Sequence, residues 1–137
     1  MVKEFQDLEV WKNAKQVVIS IYKFTRDFPK QETYGLTNQL RRAVNSICAN
    51  IAEGFNRFHH KDKIKFYYNA RGSISECKSH LLISQELGYL AKGNVDKLIE
   101  ELDIIGKMLN AMINSLYLRH SSPKPQSPAP SPISRIH

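Results

Sequence analysis

The stretch QLRRAVNSICANIAEG, residues 39 to 54, has the apolar spacing of a helix but an unusual polar face. At about 100° per residue, its apolar positions form one stripe, which predicts the core-facing side. This stripe consists of Leu40, Val44, Ile47, Cys48, Ile51 and Phe55. A second stripe, roughly 130° away, includes Gln, Ser and Asn where a water-facing helix usually carries Lys and Glu. It consists of Gln39, Arg42, Ser46, Asn50 and Glu53. Because short side chains lose little rotamer entropy when ordered, this stripe predicts a second packing surface.

Three further segments have the helical period, and few windows alternate with the period of a strand. The segments run from about 7 to 28, from about 61 to 87 and from about 94 to 120. Residues that favour helix ends flank them. These are Pro29 after the first helix, Thr37 as the N-cap of the second and Gly54 near its end, Gly88 after the third, and Asn94 as the N-cap of the fourth.

Short connections make successive helices antiparallel neighbours, so the sequence predicts an all-α, up-down-up-down four-helix bundle. Its 137 residues suit a single domain, which we place at residues 1–120. Residues 121–137 contain five prolines and five serines, a composition with too little apolar surface to offset the entropy of ordering. We therefore expect a disordered C-terminal tail.

The third helix also has a partly apolar side, set apart from its predicted core stripe of Tyr67, Ala70, Ile74, Cys77 and Leu81. Together with the second stripe of the quoted helix, this side predicts a homo-oligomer, because small and apolar side chains allow helices of two subunits to approach closely. The predicted interface consists of Gln39, Ser46, Asn50, Glu53, Ile64, Tyr68, Ser75 and Leu82.

Positive charge is concentrated in one part of this basic chain, whose formal net charge is +7. Residues 41–71 contain seven Lys or Arg against two acids. Such a cluster predicts contacts with the phosphates of nucleic acid, although a solvated face that only confers solubility fits the composition equally well. The predicted phosphate contacts are Arg41, Arg42, Arg57, Lys61, Lys63 and Lys65. For the neighbouring aromatic residues Tyr67, Tyr68 and His59, base stacking and core packing are the two interpretations.

Signatures of catalysis are missing from the sequence, which favours a non-enzyme without a cofactor or metal. No Glu-x-x-His pair of a di-iron bundle and no Gly-rich phosphate loop occurs. Glu76 and His80 share a helix face, where a simple polar pair is more probable than a metal site. Cys48 and Cys77 lie on apolar stripes and predict buried thiols of a reducing compartment. No stretch has the roughly 20 apolar residues of a membrane span, so we expect a cytoplasmic protein.

Three segments make a family resemblance specific: FQDLEVWKNA near the start, FPKQETYGLTNQLRRAVNSICANIAEG in the middle, and FYYNARGSISE after it. They resemble the bacterial four-helix bundle proteins named after 23S rRNA intervening sequences. The resemblance implies an antiparallel bundle that assembles as a ring-like homopentamer. That family is also similar to the accessory variability determinant of diversity-generating retroelements, which makes nucleic acid a reasonable partner. The chain departs from the family pattern in its tail and in Cys48, where relatives often have proline.

Two classes of function are consistent with these features. In the first, the bundle binds RNA or another nucleic acid through its basic surface, without reading sequence, because cation contacts to phosphate carry no base information. In the second, the bundle is a protein-interaction scaffold, in which the basic cluster suits an acidic protein partner.

Overall fold

The computed structural model describes residues 1–120, which form an all-α four-helix bundle with no strand in that range. The helices are α1 (Glu9–Thr25), α2 (Leu36–Asn56), α3 (His60–Glu86) and α4 (Lys92–His120). Single 3-10 turns at Phe5–Asp7 and Lys30–Glu32 precede α1 and α2. The all-α bundle predicted from the sequence is therefore confirmed, and the predicted disordered tail lies outside the described residues.

The first helix is shorter than predicted at both ends. A 3-10 turn at Phe5–Asp7 precedes its start, and the chain tightens before Pro29 at its C-terminal end. The Asp27 N–H donates to Phe24 O at 3.3 Å, and the Phe28 N–H donates to Thr25 O at 3.2 Å. These are the three-residue steps of a closing turn, not the four-residue steps of an α-helix. Phe28 is nevertheless buried, since it packs against the Tyr89 ring with the centroids 5.3 Å apart.

The predicted N-cap of α2 is wrong, whereas Gly54 lies near the end of the helix as predicted. The helix begins at Leu36, so Thr37 lies inside the first turn and is buried instead of acting as the N-cap. The Leu36 N–H is bound by the Glu32 carboxylate, whose Oε1 lies 3.1 Å away. At the other end, Gly54 does not stop the helix, which continues to Asn56.

Gly54 instead permits close contact between α2 and α3. A Cβ at this position would lie 2.6 Å from Cε1 of Tyr67 and 3.1 Å from Cβ of Phe66. A Cβ essentially never lies within 3.0 Å of another heavy atom, so a side chain at this position would displace the buried Tyr67 ring, and glycine avoids this clash. The absent side chain lets the buried Tyr67 ring lie directly against the α2 backbone.

The ends of α3 and α4 agree more closely with the sequence. Gly88 has φ +79°, and the N–H groups of Gly88 and Tyr89 donate back to Gln85 O and Ser84 O at 3.0 and 2.9 Å. This is the Schellman arrangement, which ends helices at a left-handed glycine. The fourth helix starts at Lys92, so Asn94 lies within it and is not its N-cap.

The core lies between all four helices, and α2 and α3 share the most extensive contact. Its largest fully buried side chains include Ile21, Leu40, Ile47, Ile51, Leu81, Leu102, Ile105 and Leu109. The predicted core stripe of α2 is confirmed at Leu40, Val44, Ile47 and Ile51, whereas Cys48 and Phe55 are only partly buried at its edges. No helix in residues 1–120 has both the length and the apolarity needed to span a membrane.

We expect Gly54→Ala to lower the free energy of unfolding by about 1–3 kcal/mol, because the new methyl group overpacks the buried Tyr67 ring. The measurement is urea unfolding followed by circular dichroism. Gly72→Ala is the matched control, since a Cβ at Gly72 on α3 meets no atom within 4 Å. At Gly72 the better helix propensity of Ala should raise the free energy of unfolding by at most about 1 kcal/mol. Equal effects of the two substitutions would contradict this account of Gly54.

Candidate nucleic-acid interface

The predicted basic cluster divides into two groups in the folded chain. Arg41 and Arg42 lie in the N-terminal half of α2, whereas Arg57 follows its last residue. Arg57 comes 15 positions after Arg42, which corresponds to about 22 Å along a helix axis. Lys61, Lys63 and Lys65 lie in the first two turns of α3. We call the α2–α3 connection and these first turns, residues 57–65, the hairpin end.

Arg41 binds to the first helix instead of projecting into solvent. Its Nε donates to Thr25 Oγ1 at 2.9 Å, and its guanidinium lies over the Tyr22 ring, 4.5 Å from the centroid. Such a cation–π contact adds to the attachment of α1 to α2. Arg42, the next residue, is exposed. Of this pair, only Arg42 presents its charge to solvent.

Lys63 has a structural role at the C-terminal end of α2. Its Nζ donates to Phe55 O at 2.6 Å and to Gly54 O at 3.3 Å. The last carbonyls of a helix lack partners within the helix and carry its negative dipole end, so an ammonium is well placed there. Partial burial lowers the pKa of Lys63. Lys63 is therefore directed into the fold, contrary to its predicted role as a phosphate contact.

The cations exposed at the hairpin end are Arg57, Lys61 and Lys65. Arg57 forms an ion pair with Glu53 at 3.3 Å and lies over the Phe66 ring, 4.7 Å from its centroid. Both side chains of the ion pair are about half exposed, so the pair contributes little to stability and is easily exchanged for another anion. Among the residues that the structure describes, Lys61 and Lys65 form no ion pair.

The structure assigns different environments to the three aromatic residues considered for stacking. Tyr67 is buried in the core, which raises the pKa of its hydroxyl to about 12, and this excludes it as a stacking surface. Tyr68 is half-buried, its hydroxyl hydrogen-bonds with Tyr117, and Arg71 lies over its ring. Only His59 is exposed, as the residue before α3.

The sequence analysis missed Phe58, an exposed apolar side chain of the hairpin end. Its exposed fraction is 87%, and its ring meets that of His59 edge to face, with the centroids 5.0 Å apart. The available signal was an apolar residue inside the polar turn FNRFHH, which belongs to neither flanking helical stripe.

Part of the polar stripe on α2 binds α3 of the same chain. The Ser73 hydroxyl donates to Ser46 Oγ at 2.8 Å, and Asn50 Nδ2 donates to the Ser46 carbonyl oxygen and hydroxyl at 2.8 and 3.0 Å. Ser46 therefore contacts α3 directly, whereas Asn50 hydrogen-bonds within α2 and holds the Ser46 side chain there. Gln39 is half-buried, and Glu53 remains exposed beside Arg57.

The predicted outer side of α3 is largely the flank that faces α4. Ile64 is only 8% exposed and belongs to the core, so its place in the predicted subunit interface is wrong. Tyr68 contacts Tyr117 of α4, and Ser75 lines a groove between α3 and α4. Positions about 100° from the core stripe meet whichever neighbour lies on that side, and here it is α4. Leu82 alone is an exposed apolar member of this set.

The thiols and the histidine pair match structural roles. Burial raises the pKa of Cys48 to about 11 and that of Cys77 to about 12, which keeps both thiols protonated at neutral pH. His80 Nε2 lies 3.4 Å from Glu76 Oε2, as a polar pair within one helix. Within residues 1–120 no group of three or more His, Cys, Asp or Glu side chains could hold a metal ion.

Fold and surface together define an antiparallel four-helix bundle with exposed cations at one helical hairpin. Residues 6–111 match the family described as 23S rRNA-intervening sequence protein, and the chain belongs to this family. A crystal structure of a protein with unknown function from the S23 ribosomal protein family of Bacteroides thetaiotaomicron has the same fold. The TM-score is 0.71 at 20% identity, over 77% of this chain and 95% of that one. No curated protein matches the chain.

We expect Lys63→Ala to lower the free energy of unfolding by about 1 kcal/mol, since the carbonyls of Gly54 and Phe55 lose their ammonium donor. Lys61→Ala, which removes the same charge two residues away, should change it by no more than about 0.5 kcal/mol. Thermal unfolding of both variants measures the difference. If both melt at the same temperature as the unmodified chain, Lys63 has no capping role.

Proposed function

We propose that this chain is a non-catalytic, homo-oligomeric bundle protein that binds RNA or another nucleic acid through phosphate contacts at the hairpin end. The observation that carries the proposal is the exposure of Arg57, Lys61 and Lys65 together at one end of the bundle. Membership of a family named after an intervening sequence of 23S rRNA is consistent with a nucleic-acid partner.

The electrostatics of the hairpin end support a polyanionic ligand. Between residues 55 and 71 the chain has five Lys or Arg and a single acid, Asp62. Lys61 and Lys65 are one helical turn apart on α3, so their charges lie on the same face. Each Lys or Arg that neutralises a phosphate releases condensed counterions, which drives binding at low salt. Arg42 lies apart from this group and could contact only a ligand that extends along α2.

Self-association is supported by exposed apolar side chains near the C-terminal end of α3. Leu82, Ile83 and Leu87 are each about half exposed and lie within two turns of one another. Apolar surface of this kind favours burial against another subunit. The family resemblance implies a pentamer, and in such a ring several hairpin ends would act on one ligand by multivalency.

A scaffold for an acidic protein partner is the second candidate function, because the same exposed cations would suit carboxylates. The two functions differ in their ligands. A flexible nucleic acid offers phosphates at every nucleotide, so binding should be nearly independent of sequence and steeply dependent on salt. A folded acidic protein, by contrast, offers its carboxylates on one particular surface.

We expect the unmodified protein to bind mixed-sequence single-stranded RNA at about 50 mM salt and to lose affinity steeply as salt increases. The double variant Lys61→Ala, Lys65→Ala should bind more weakly and reduce the log-log salt slope by about 1.4 if both lysines contact phosphate, since each contact to a single strand contributes about 0.7. Fluorescence anisotropy of labelled RNA over a salt series measures both quantities.

The matched control is Lys23→Ala, Lys97→Ala, which removes the same charge from exposed positions at the opposite end of the bundle. Its salt slope should equal that of the unmodified protein. Absence of RNA binding by the unmodified protein, or equal slopes for the two double variants, would contradict phosphate contact at the hairpin end. Binding to an acidic protein would then support the scaffold function.

We expect light scattering at micromolar concentration to give a mass several times the 15.8 kDa of one chain, and five times that mass for a pentamer. Ile83→Asp should reduce the mass to that of the monomer, because a carboxylate in an apolar interface is costly to desolvate. Leu118→Asp is the control, since Leu118 is an exposed apolar residue at the other end of the bundle. A monomer before any substitution would rule out the assembly.

A further inference from the structure

Phe58 stands out among the residues of the hairpin end because its ring contributes nothing to the core. It lies between Arg57 and His59 in the three-residue connection from α2 to α3, and it is absent from the side chains that pack on the core. Its 87% exposure is high for a phenylalanine, a residue type that is usually buried. Its solvation is unfavourable unless a ligand covers the ring.

We propose that Phe58 is a stacking surface for nucleic-acid bases, and that the ligand of the hairpin end is therefore single-stranded or locally unpaired. This inference rests on the proposed function and specifies its ligand class. Proteins that bind single strands without reading their sequence combine a basic surface with aromatic side chains on which the bases stack. Here the ring and the cations Arg57, Lys61 and Lys65 belong to nine consecutive residues.

The geometry leaves the Phe58 ring accessible to a base. Its contact with His59 is edge to face, with an interplanar angle of 84°, so the two rings do not cover each other by parallel stacking. Arg57 is held over the Phe66 ring and therefore does not occupy the Phe58 ring. With 87% of the side chain exposed, a planar base can approach it from solvent.

The same geometry favours a single strand over a duplex. In a duplex the bases already stack on one another, so Phe58 could reach a base face only by unstacking a base step, which is unfavourable. Unpaired bases have free faces and stack on an exposed ring without that penalty. Phosphate contacts alone would not distinguish the two forms in this way.

Tyr34 provides an internal comparison. Among the Phe, Tyr and Trp residues that the structure describes, it is the other strongly exposed side chain, with 92% exposure, and it lies in the connection between α1 and α2 at the opposite end of the bundle. Within four residues of it in sequence lie one base and one acid, Lys30 and Glu32, so its connection carries no excess of positive charge. An exposed ring without cations should not contribute to binding.

The experiment uses the full chain, a labelled 20-nucleotide single-stranded RNA of mixed sequence and a blunt RNA duplex of the same length, at about 50 mM salt. Phe58→Ala should weaken single-strand binding by about 5- to 150-fold, the range for loss of one stacked base, and leave duplex binding unchanged. Its salt slope should stay that of the unmodified protein, because no charge is removed. Phe58→Trp should restore binding, whereas Phe58→Leu should not. Tyr34→Ala should have no effect.

Several outcomes would overturn the inference while leaving the proposed function intact. In the first, Phe58→Ala binds the single strand as tightly as the unmodified protein does. In the second, Phe58→Ala loses affinity equally for the single strand and the duplex. In the third, Phe58→Leu binds as tightly as the unmodified protein, which would indicate a general apolar contact. A change in the light-scattering mass of Phe58→Ala would assign the ring to subunit assembly and also overturn it. If the unmodified protein binds neither RNA, both the inference and the proposed function fail.

Discussion

The close approach of α2 and α3 at Gly54 is the constraint on which the rest of this bundle depends. The Tyr67 ring occupies the space that a side chain at Gly54 would need. One helical hairpin is thereby packed tightly enough for a three-residue connection, residues 57–59. The hydrogen bond from Ser73 to Ser46 joins the two helices further along, and Lys63 binds the last carbonyls of α2. Short polar residues on α2 thus make contacts within the chain that long Lys or Glu side chains would prevent.

This packing also determines what the hairpin end presents to solvent. A connection of three residues joins α2 to α3 too directly for its own side chains to fold back onto the core, and Phe58 remains exposed for this reason. Arg57 is oriented by the Phe66 ring, and its ion pair with Glu53 is weak enough to be replaced by a phosphate. A rigid scaffold with exposed residues at its connections is where binding groups are usually found.

The sequence predicts the bundle well because helical periodicity identifies core positions such as Leu40 and Ile47, whose burial the structure confirms. It does not identify the neighbour of a flanking position, and Ile64, which was predicted to face another subunit, is buried in the core. Nor does charge alone separate a capping lysine from an exposed one, so Lys63 could not be distinguished from Lys61. Phe58 was missed because periodicity carries no information inside a turn. Each of these errors concerns a tertiary contact, or the lack of one, which local spacing does not encode.

The two ends of the bundle differ in a way that suits the proposed assembly. At one end the Glu32 carboxylate accepts hydrogen bonds from the Leu36 N–H and the Tyr89 hydroxyl, which ties the α1–α2 and α3–α4 connections together. The hairpin end carries exposed cations and an exposed ring. In a cyclic assembly every subunit points the same way, so all hairpin ends would lie on one rim. Three exposed cations and one aromatic side chain make a weak binding site in a single subunit. When several subunits bind the same nucleic-acid strand, their high effective concentration raises the affinity. The cyclic assembly would then be needed for tight binding, even though each subunit carries a complete site.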